Sequence, residues 1–345
     1  MDRIKLPYSV VLELTYRCNH RCVFCSCPWF APNSHYPKGK ELDVEQWKQA
    51  INKLYDMGVQ AFSISGGEAI LKDCMPQIVE HIREEGNKRG YNHPIVLISN
   101  GLAMKEEYLQ LFKRCNVHLS MSLPGYESFL EHTGVDNADG VLAWFTRAKE
   151  LKLETTVNVT VTTKNIHELF ETISMGLISG ASSLLLNRFL PGGRGLVYKD
   201  ELMLSPKQVN EMLDVAEEVL TLSGRYGNLG TEVAACAIED ASRYKQLHFG
   251  YKCGAAKGFF VIDPAGNVRT CNHSPRIVGH IFHSTIIDDV DYWNMFANSQ
   301  YKPTACKSCK LIEQCDCGCR EVANILYGNP KKVDTTIMNI KYTRK

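Results

Sequence analysis

Fourteen cysteines in 345 residues, and above all their uneven placement, constrain this chain more than any other feature. Cys18, Cys22, Cys25 and Cys27 lie near the start. Cys253, Cys271, Cys306, Cys309, Cys315, Cys317 and Cys319 lie near the end, and only Cys74, Cys115 and Cys236 fall between. A disulfide scaffold is usually short and poor in core. Here a 44% hydrophobic and 22% charged composition supports a large core and excludes whole-chain disorder. The first residues, MDRIKLPYSVVLEL, carry no long apolar stretch and no small-residue cleavage site, so no signal peptide is expected. Reduced thiols and a cytoplasmic setting follow as expectations. Reduced cysteines in clusters point to metal, here in two regions flanking an ordinary globular body.

Charge removes other classes. Lys and Arg number 39 against 38 Asp and Glu, a net charge of +1. A protein that grips phosphates usually carries a larger basic excess, so no nucleic-acid partner is expected. No apolar run approaches the roughly 20 residues that span a bilayer, so no membrane role is expected either. The length suggests about two domains.

The first two-thirds alternates strand-like and helix-like segments. Apolar runs at 9–14, 59–65, 94–99, 117–122, 155–162 and 182–189 predict strands. Amphipathic spacing predicts helices at 43–58, 75–85, 105–114, 138–151, 166–179 and 205–220. Asp43 and Ser205 are suitable N-caps, Pro206 suits a first helical turn, and Gly58 suits a C-cap. Strands alternating with helices imply a parallel sheet with right-handed crossovers. About six such units fit, which favours an α/β fold with a partial, TIM-like (β/α)6 barrel over a closed eight-unit barrel. Residues 1–225 are expected to form this barrel, 226–252 a bridging segment and 253–345 a small cysteine-rich domain. The loops after the first three strands hold the cysteines, Gly-Gly-Glu and Ser-Asn-Gly, on the face where α/β folds collect ligands.

Cys18-x3-Cys22-x2-Cys25 can bind three irons of a four-iron cubane and leave the fourth open. The alternative is a four-ligand zinc site completed by Cys27. After the next strand come Gly66, Gly67 and Glu68, two glycines that would let a backbone edge approach a ligand closely. Together the two motifs, in this order, resemble the radical S-adenosylmethionine (SAM) enzymes, over roughly residues 8–225.

The resemblance implies a [4Fe-4S] cluster on Cys18, Cys22 and Cys25 whose open iron binds S-adenosylmethionine. It implies reductive cleavage to a 5′-deoxyadenosyl radical that abstracts a hydrogen atom. Gly66, Gly67 and Glu68 would line the methionine amino group, and Phe24 would neighbour the adenine. Ser99, Asn100, Ser120, Ser122, Asn158 and Asn187 would sit where the family contacts carboxylate and ribose; the bland alternative for each is an ordinary strand-end hydrogen bond.

Cys253-x12-Gly266-x4-Cys271 and Cys306-x2-Cys309-x5-Cys315-x3-Cys319 resemble the SPASM extension of the same enzymes, which carries auxiliary [4Fe-4S] clusters. The alternative is a zinc-ribbon-like domain. The resemblance implies Cys253, Cys271 and Cys319 at a first auxiliary site. It implies Cys306, Cys309 and Cys315 at a second, with a last cysteine downstream. None follows Cys319, so Cys317, Asp316 or Asp334 could substitute. The first site either keeps an open iron or is reached by Cys236. Cys74 and Cys115 read as buried apolar residues, and His248, His273, His280 and His283 as surface or supporting groups.

SPASM enzymes mostly modify peptides or proteins, and the expected function is installation of a crosslink or other modification in a ribosomally made peptide. A small molecule or a sulfatase is the alternative substrate, although Asn272 stands where sulfatase-modifying members carry an aspartate, and ISNG replaces their usual QTNG. NRFLPGGRG (187–195) resembles loops of peptide-modifying members. A non-catalytic electron carrier or zinc-stabilised interaction protein is a third reading. With the motif starting at Cys18, a separate leader-recognition protein is an expected partner, together with a flavodoxin- or ferredoxin-type electron donor.

Overall fold

The computed structural model describes residues 5–334; the expected outer limits of the barrel and of the cysteine-rich domain, 1–4 and 335–345, lie outside the described residues. Six parallel strands, β1 (Ser9–Glu13), β2 (Ala61–Ser65), β3 (Ile95–Ser99), β4 (Val117–Ser122), β5 (Thr155–Val161) and β6 (Ser183–Arg188), pair in sequence order. The helices between them are α1 (Val44–Asp56), α2 (Met75–Lys88), α3 (Glu106–Arg114), α4 (Phe129–Thr133), α5 (Ala138–Glu150) and α6 (Leu169–Ser179). This is the expected partial barrel.

Local sequence explains the elements. Asp43 caps α1 in a reciprocal box with Gln46, worth about 1 kcal/mol. Trp47, Ala50, Ile51, Leu54 and Tyr55 recur on one face of that helix and are buried against the sheet. The helix is capped at Met57, one residue before the expected Gly58, which follows with φ +92°. After α7 (Lys199–Leu202), Ser205 and Gln208 form the same box at the start of α8 (Pro206–Ser223), with Pro206 in its first turn. The alternating cores of β2 and β3 are buried on the helix side and polar or half-buried within the barrel.

The sheet does not stop at six strands. Short β7 (Gly227–Leu229) and β8 (Leu247–His248), from the stretch expected to bridge, continue it in parallel beyond β6. At the other edge β9 (Phe259–Ile262) pairs in parallel with β1, Val10 opposite Phe260, and β10 (Asn267–Arg269) and β11 (Gly279–His280) follow antiparallel. The cysteine-rich region is therefore hydrogen-bonded directly to the first barrel strand. Two helices, α9 (Val290–Ala297) and α10 (Arg320–Tyr327), complete it. No helix among the described residues is long and apolar enough to cross a membrane.

Candidate functional site

The carboxyl ends of β1 to β6 open into a cavity of ≈ 360 Å³. That volume suits a small-molecule cofactor. Cys18, Cys22 and Cys25 line it together, half-buried on the loop after β1. Two contacts hold this loop. The carbonyls of Thr133 and His132 in α4 accept the amides of Arg21 (2.8 Å) and Val23 (2.9 Å). The 191–195 loop lies over its other side, where Gly195 N–H donates to Cys25 O at 3.0 Å and Arg194 donates to Cys22 O at 3.2 Å. Gly193 has φ +48°, and a Cβ there would stand 2.5 Å from Cys27 O. Helix α4, with only five residues, is not among the expected helices.

Gly66 and Gly67 line the cavity as expected, for a different physical reason. Gly67 N–H donates to Thr15 O and Glu68 N–H to Arg17 O, both at 2.8 Å. A Cβ on Gly67 would meet Arg17 O at 2.2 Å, so the glycine lets two protein backbones meet rather than admitting a ligand. Glu68 is buried, and burial raises its carboxyl above the usual range although three donors oppose the shift. It accepts Ser99 Oγ (3.0 Å), Ile70 N–H (3.2 Å) and Asn100 N–H (2.7 Å), which orients the end of β3. Asn100 in turn donates to Asn19 Oδ1 at 2.8 Å, beside Cys18.

Phe24, Ser122, Asn158 and Asn187 also face the cavity, and Asn187 donates to Asn158 Oδ1 at 2.8 Å. Ser120 does not line it. It is buried one pleat deeper on β4, where its hydroxyl has no hydrogen-bond partner.

The cavity is also lined by residues not expected as site residues: Glu13, His20, Thr160, Arg188, Thr231 and Asn272. Glu13 pairs with Arg269 and accepts Asn272 Nδ2 at 3.1 Å. Burial also holds its carboxyl above the ordinary range, outweighing the arginine. His20 is buried with an unpartnered Nε2 and lowered to about 4 by desolvation. His20 enters with the cysteine loop, Glu13, Thr160 and Arg188 with the ends of β1, β5 and β6, and Thr231 and Asn272 from distant segments.

The C-terminal cysteines form two groups. Cys306, Cys309, Cys315 and Cys317 share a small apolar cavity with Cys236. Cys236 thus joins the second group, and the expectation that it might reach the first is corrected. Cys253, Cys271 and Cys319 stand close enough to raise one another's thiols, with burial the larger cause. Asp316 and Asp334 are engaged at this first group. Asp316 Oδ2 accepts Cys253 N–H (2.9 Å), Lys257 Nζ (2.6 Å) and Tyr301 OH (3.0 Å). Asp334 Oδ2 accepts Cys319 N–H and Arg188 Nη2, each at 3.1 Å. Neither aspartate lines the second cavity.

His273 is lowered to about 4 by burial and contacts Pro191 O, His280 contacts Ala265 O, His283 pairs with Asp288, and His248 is exposed. Cys115 is buried and Cys74 packs against the core.

The cavity fits the cofactors that its sequence suggests. Its donors are three convergent thiols, a row of strand-end amides and hydroxyls, and an orphaned buried imidazole nitrogen. Thiolates suit iron, and the polar strand ends suit an amino-acid and ribose ligand. Burial raises the Cys18 and Cys22 thiols, with the Arg194 guanidinium opposing the shift, while a hydrogen bond from Cys27 lowers Cys25 to about 7.

Comparison with known proteins agrees with this geometry. Residues 12–175 match the family described as the Radical SAM superfamily. The chain is 29% identical to a PqqA peptide cyclase of Bradyrhizobium diazoefficiens, across 95% of this chain and 85% of that protein. It is 27% identical to the PqqA peptide cyclase of Rhodopseudomonas palustris, across 95% and 86%. Among solved structures, Streptococcus suis SuiB bound to S-adenosylmethionine superposes with a TM-score of 0.73 at 17% identity, over 98% of this chain and 78% of that one. Native anSMEcpe with bound AdoMet gives 0.70 at 20% identity, over 97% and 94%. These two likenesses carry the fold.

Proposed function

We propose that this chain, whose residues 12–175 match the Radical SAM superfamily, is an enzyme using a [4Fe-4S] cluster and S-adenosylmethionine, and that it modifies a ribosomally made peptide by hydrogen abstraction, forming a crosslink or related bond. The observation that carries this reading is the single cavity joining Cys18, Cys22 and Cys25 to Gly66, Gly67, Glu68 and the polar ends of β3, β5 and β6. Similarity to peptide cyclases over nearly the whole chain supports a peptide as substrate. A SuiB structure with its bound precursor peptide shares the fold.

When bound, the reduced cluster and S-adenosylmethionine supply an electron and a 5′-deoxyadenosyl radical that removes a hydrogen atom from the substrate. The chain's own residues prepare that step. Cys18, Cys22 and Cys25 hold the cluster. Glu68 fixes Ser99 Oγ and the Asn100 amide, so these groups meet a ligand without reorganising. Asn187 and Asn158 are oriented by their mutual hydrogen bond, leaving further donors and acceptors for a sugar. Phe24 offers an apolar face for a base, backed by His132 at 5.9 Å between ring centres. The 191–195 loop and α4 hold the cysteine loop in place by backbone hydrogen bonds. Glu13, with Asn272 and Arg269, lies where a substrate proton could be received. Cys253, Cys271 and Cys319, and Cys306, Cys309 and Cys315, would hold auxiliary clusters, which would supply an acceptor for an electron from the substrate. A flavodoxin- or ferredoxin-type protein supplies the first electron, and a separate protein can present the peptide.

The test is anaerobic purification, reconstitution with iron and sulfide, reduction, and measurement of 5′-deoxyadenosine with candidate short peptides encoded beside the gene. The wild type should release 5′-deoxyadenosine and remove two hydrogens from the peptide for each bond formed. Cys22→Ala should release none; persistent release would sink the assignment.

A further inference from the structure

The outer face of a barrel helix is ordinarily a polar stripe. On α2 the exposed positions are Gln77, Glu84, Asn87 and Lys88. Helix α6 departs from this. Its sequence, LFETISMGLIS, holds one charged residue, Glu171, among eleven. Phe170 and Ile178 on it are 37% and 79% exposed, and Leu222 on the neighbouring α8 is 72% exposed. Between the two helices lies an open cavity of ≈ 400 Å³, lined by Phe170, Ser174 and Ile178 of α6 and by Val219 and Leu222 of α8. A helix that is apolar on its outer face as well as its inner one is built to be covered.

The charges on this face are arranged by end. Glu171 lies in the first turn of α6, three residues before Ser174 and seven before Ile178, and so shares their stripe. Lys149 stands at the opposite end: a Cβ on Gly180, just past α6, would meet Lys149 Cβ at 2.9 Å. Arg225 is anchored at the same end, where its Nη1 donates to Ser182 O at 3.4 Å. Both basic residues line the cavity. Glu171 and Lys149 are exposed, and neither has a hydrogen bond or ion pair among the described residues. The face is therefore negative at one end, positive at the other and apolar between, with the small Ser174 at its middle.

We propose that this face is the interface of a symmetric homodimer in which two α6 helices cross antiparallel near Ser174. Ile178 of each copy seats in the cavity of the other, and Glu171 of each copy faces Lys149 of the other.

The pattern is complementary to itself only when turned end for end. A parallel crossing would set Glu171 against Glu171 and Lys149 against Lys149. An acidic partner would be drawn to one end of the face and repelled at the other. A second copy related by a two-fold axis satisfies both ends at once, and every contact is made twice. Ser174 presents little bulk where the two helices approach. The face lies on the outer wall of the barrel, with its basic end beside Ser182, before β6, whereas the catalytic cavity opens at the carboxyl ends of the strands. Pairing through α6 leaves that mouth free.

The experiment is sedimentation velocity on the full chain, reconstituted anaerobically with iron and sulfide, over a series of concentrations. The wild type should show a concentration-dependent equilibrium between monomer and dimer. Ile178→Asp, at an exposed position, should weaken the dimer about a hundredfold, because the side chain is lost from both copies. Glu171→Lys and Lys149→Glu should each weaken it about tenfold by setting like charges together. An equal mixture of these two single variants should dimerise as the wild type does, because both end contacts are again between unlike charges. Release of 5′-deoxyadenosine should be the same in every variant.

A wild type that sediments as a monomer at every concentration overturns the proposal, whatever else binds the face. A dimer untouched by Ile178→Asp lies elsewhere on the molecule and overturns it as well. A mixture no tighter than its two components overturns the antiparallel arrangement. The mixing result decides the question even if Ile178→Asp fails to fold, which circular dichroism would show.

Discussion

Glu13, at the end of β1, and Arg269, in β10, form an ion pair whose side chains are 3% and 0% exposed. The pair joins the first barrel strand to the hairpin of the cysteine-rich region, inside the wall of the cavity. Arg269 also lies over the rings of Trp29 and Tyr36, which follow the cysteine loop. Asp263 accepts the Tyr36 hydroxyl at 2.6 Å and the Tyr16 hydroxyl at 3.3 Å. One buried polar network therefore ties the N-terminal motif to the region that carries the auxiliary cysteines.

Removing one partner of such a pair leaves a buried charge without compensation. Arg269→Met should cost about 3–5 kcal/mol, read as a fall in denaturant midpoint. Glu13→Gln with Arg269→Met should recover part of that loss. A single variant as stable as the wild type would show that the network is not structural.

Gly67→Ala forces a methyl group against Arg17 O, a backbone atom that cannot step aside alone. The cysteine loop must shift. The expected outcome is loss of most iron from the N-terminal site, with the auxiliary sites retained, measured by iron count and EPR. Full iron at the N-terminal site would mean that the two backbones separate without consequence.

His132 is fully buried, donates from Nδ1 to Ser128 O at 3.0 Å and accepts Thr162 Oγ1 at 2.9 Å. Desolvation lowers its pKa, only partly offset by Ser128 O and by Glu131 and Glu168. The unfolded chain then takes up this proton at a higher pH than the folded one. Stability should begin to fall as pH drops below about 6.5, the ordinary histidine value, and continue falling until the folded value is passed. Melting temperature against pH should be shallower over that window in His132→Gln. Parallel curves would remove His132 as the cause.

Cys271→Ala should leave S-adenosylmethionine cleavage largely intact while peptide product disappears, measured by 5′-deoxyadenosine and peptide mass in the same reaction. Equal product from the variant would make the C-terminal array a structural device.

Much of this was legible in the sequence because it is local. Apolar runs located all six main strands, and Asp43 and Ser205 marked their helix starts. The cysteine spacings and Gly-Gly-Glu located the cavity because they follow strand ends. What escaped depends on distant pairing. Strands β7 and β8 span three and two residues and carry too little pattern to detect. The pairing of β9 with β1 joins residues at opposite ends of the chain. Asn272, after β10, reaches the cavity by that pairing, and Cys236 reaches the second cysteine group through a turn with no motif of its own. Ser120 shows the opposite failure: its strand-end position looked suitable, but its depth on β4 takes it out of the cavity.

The most direct measurement of the central claim uses a peptide deuterated at its side-chain carbons, the reduced enzyme and unlabelled S-adenosylmethionine. The account predicts deuterium in the released 5′-deoxyadenosine together with a peptide that has lost two hydrogens. Modified peptide with no deuterium in 5′-deoxyadenosine would contradict it, as would 5′-deoxyadenosine formed at the same rate with the peptide left unchanged.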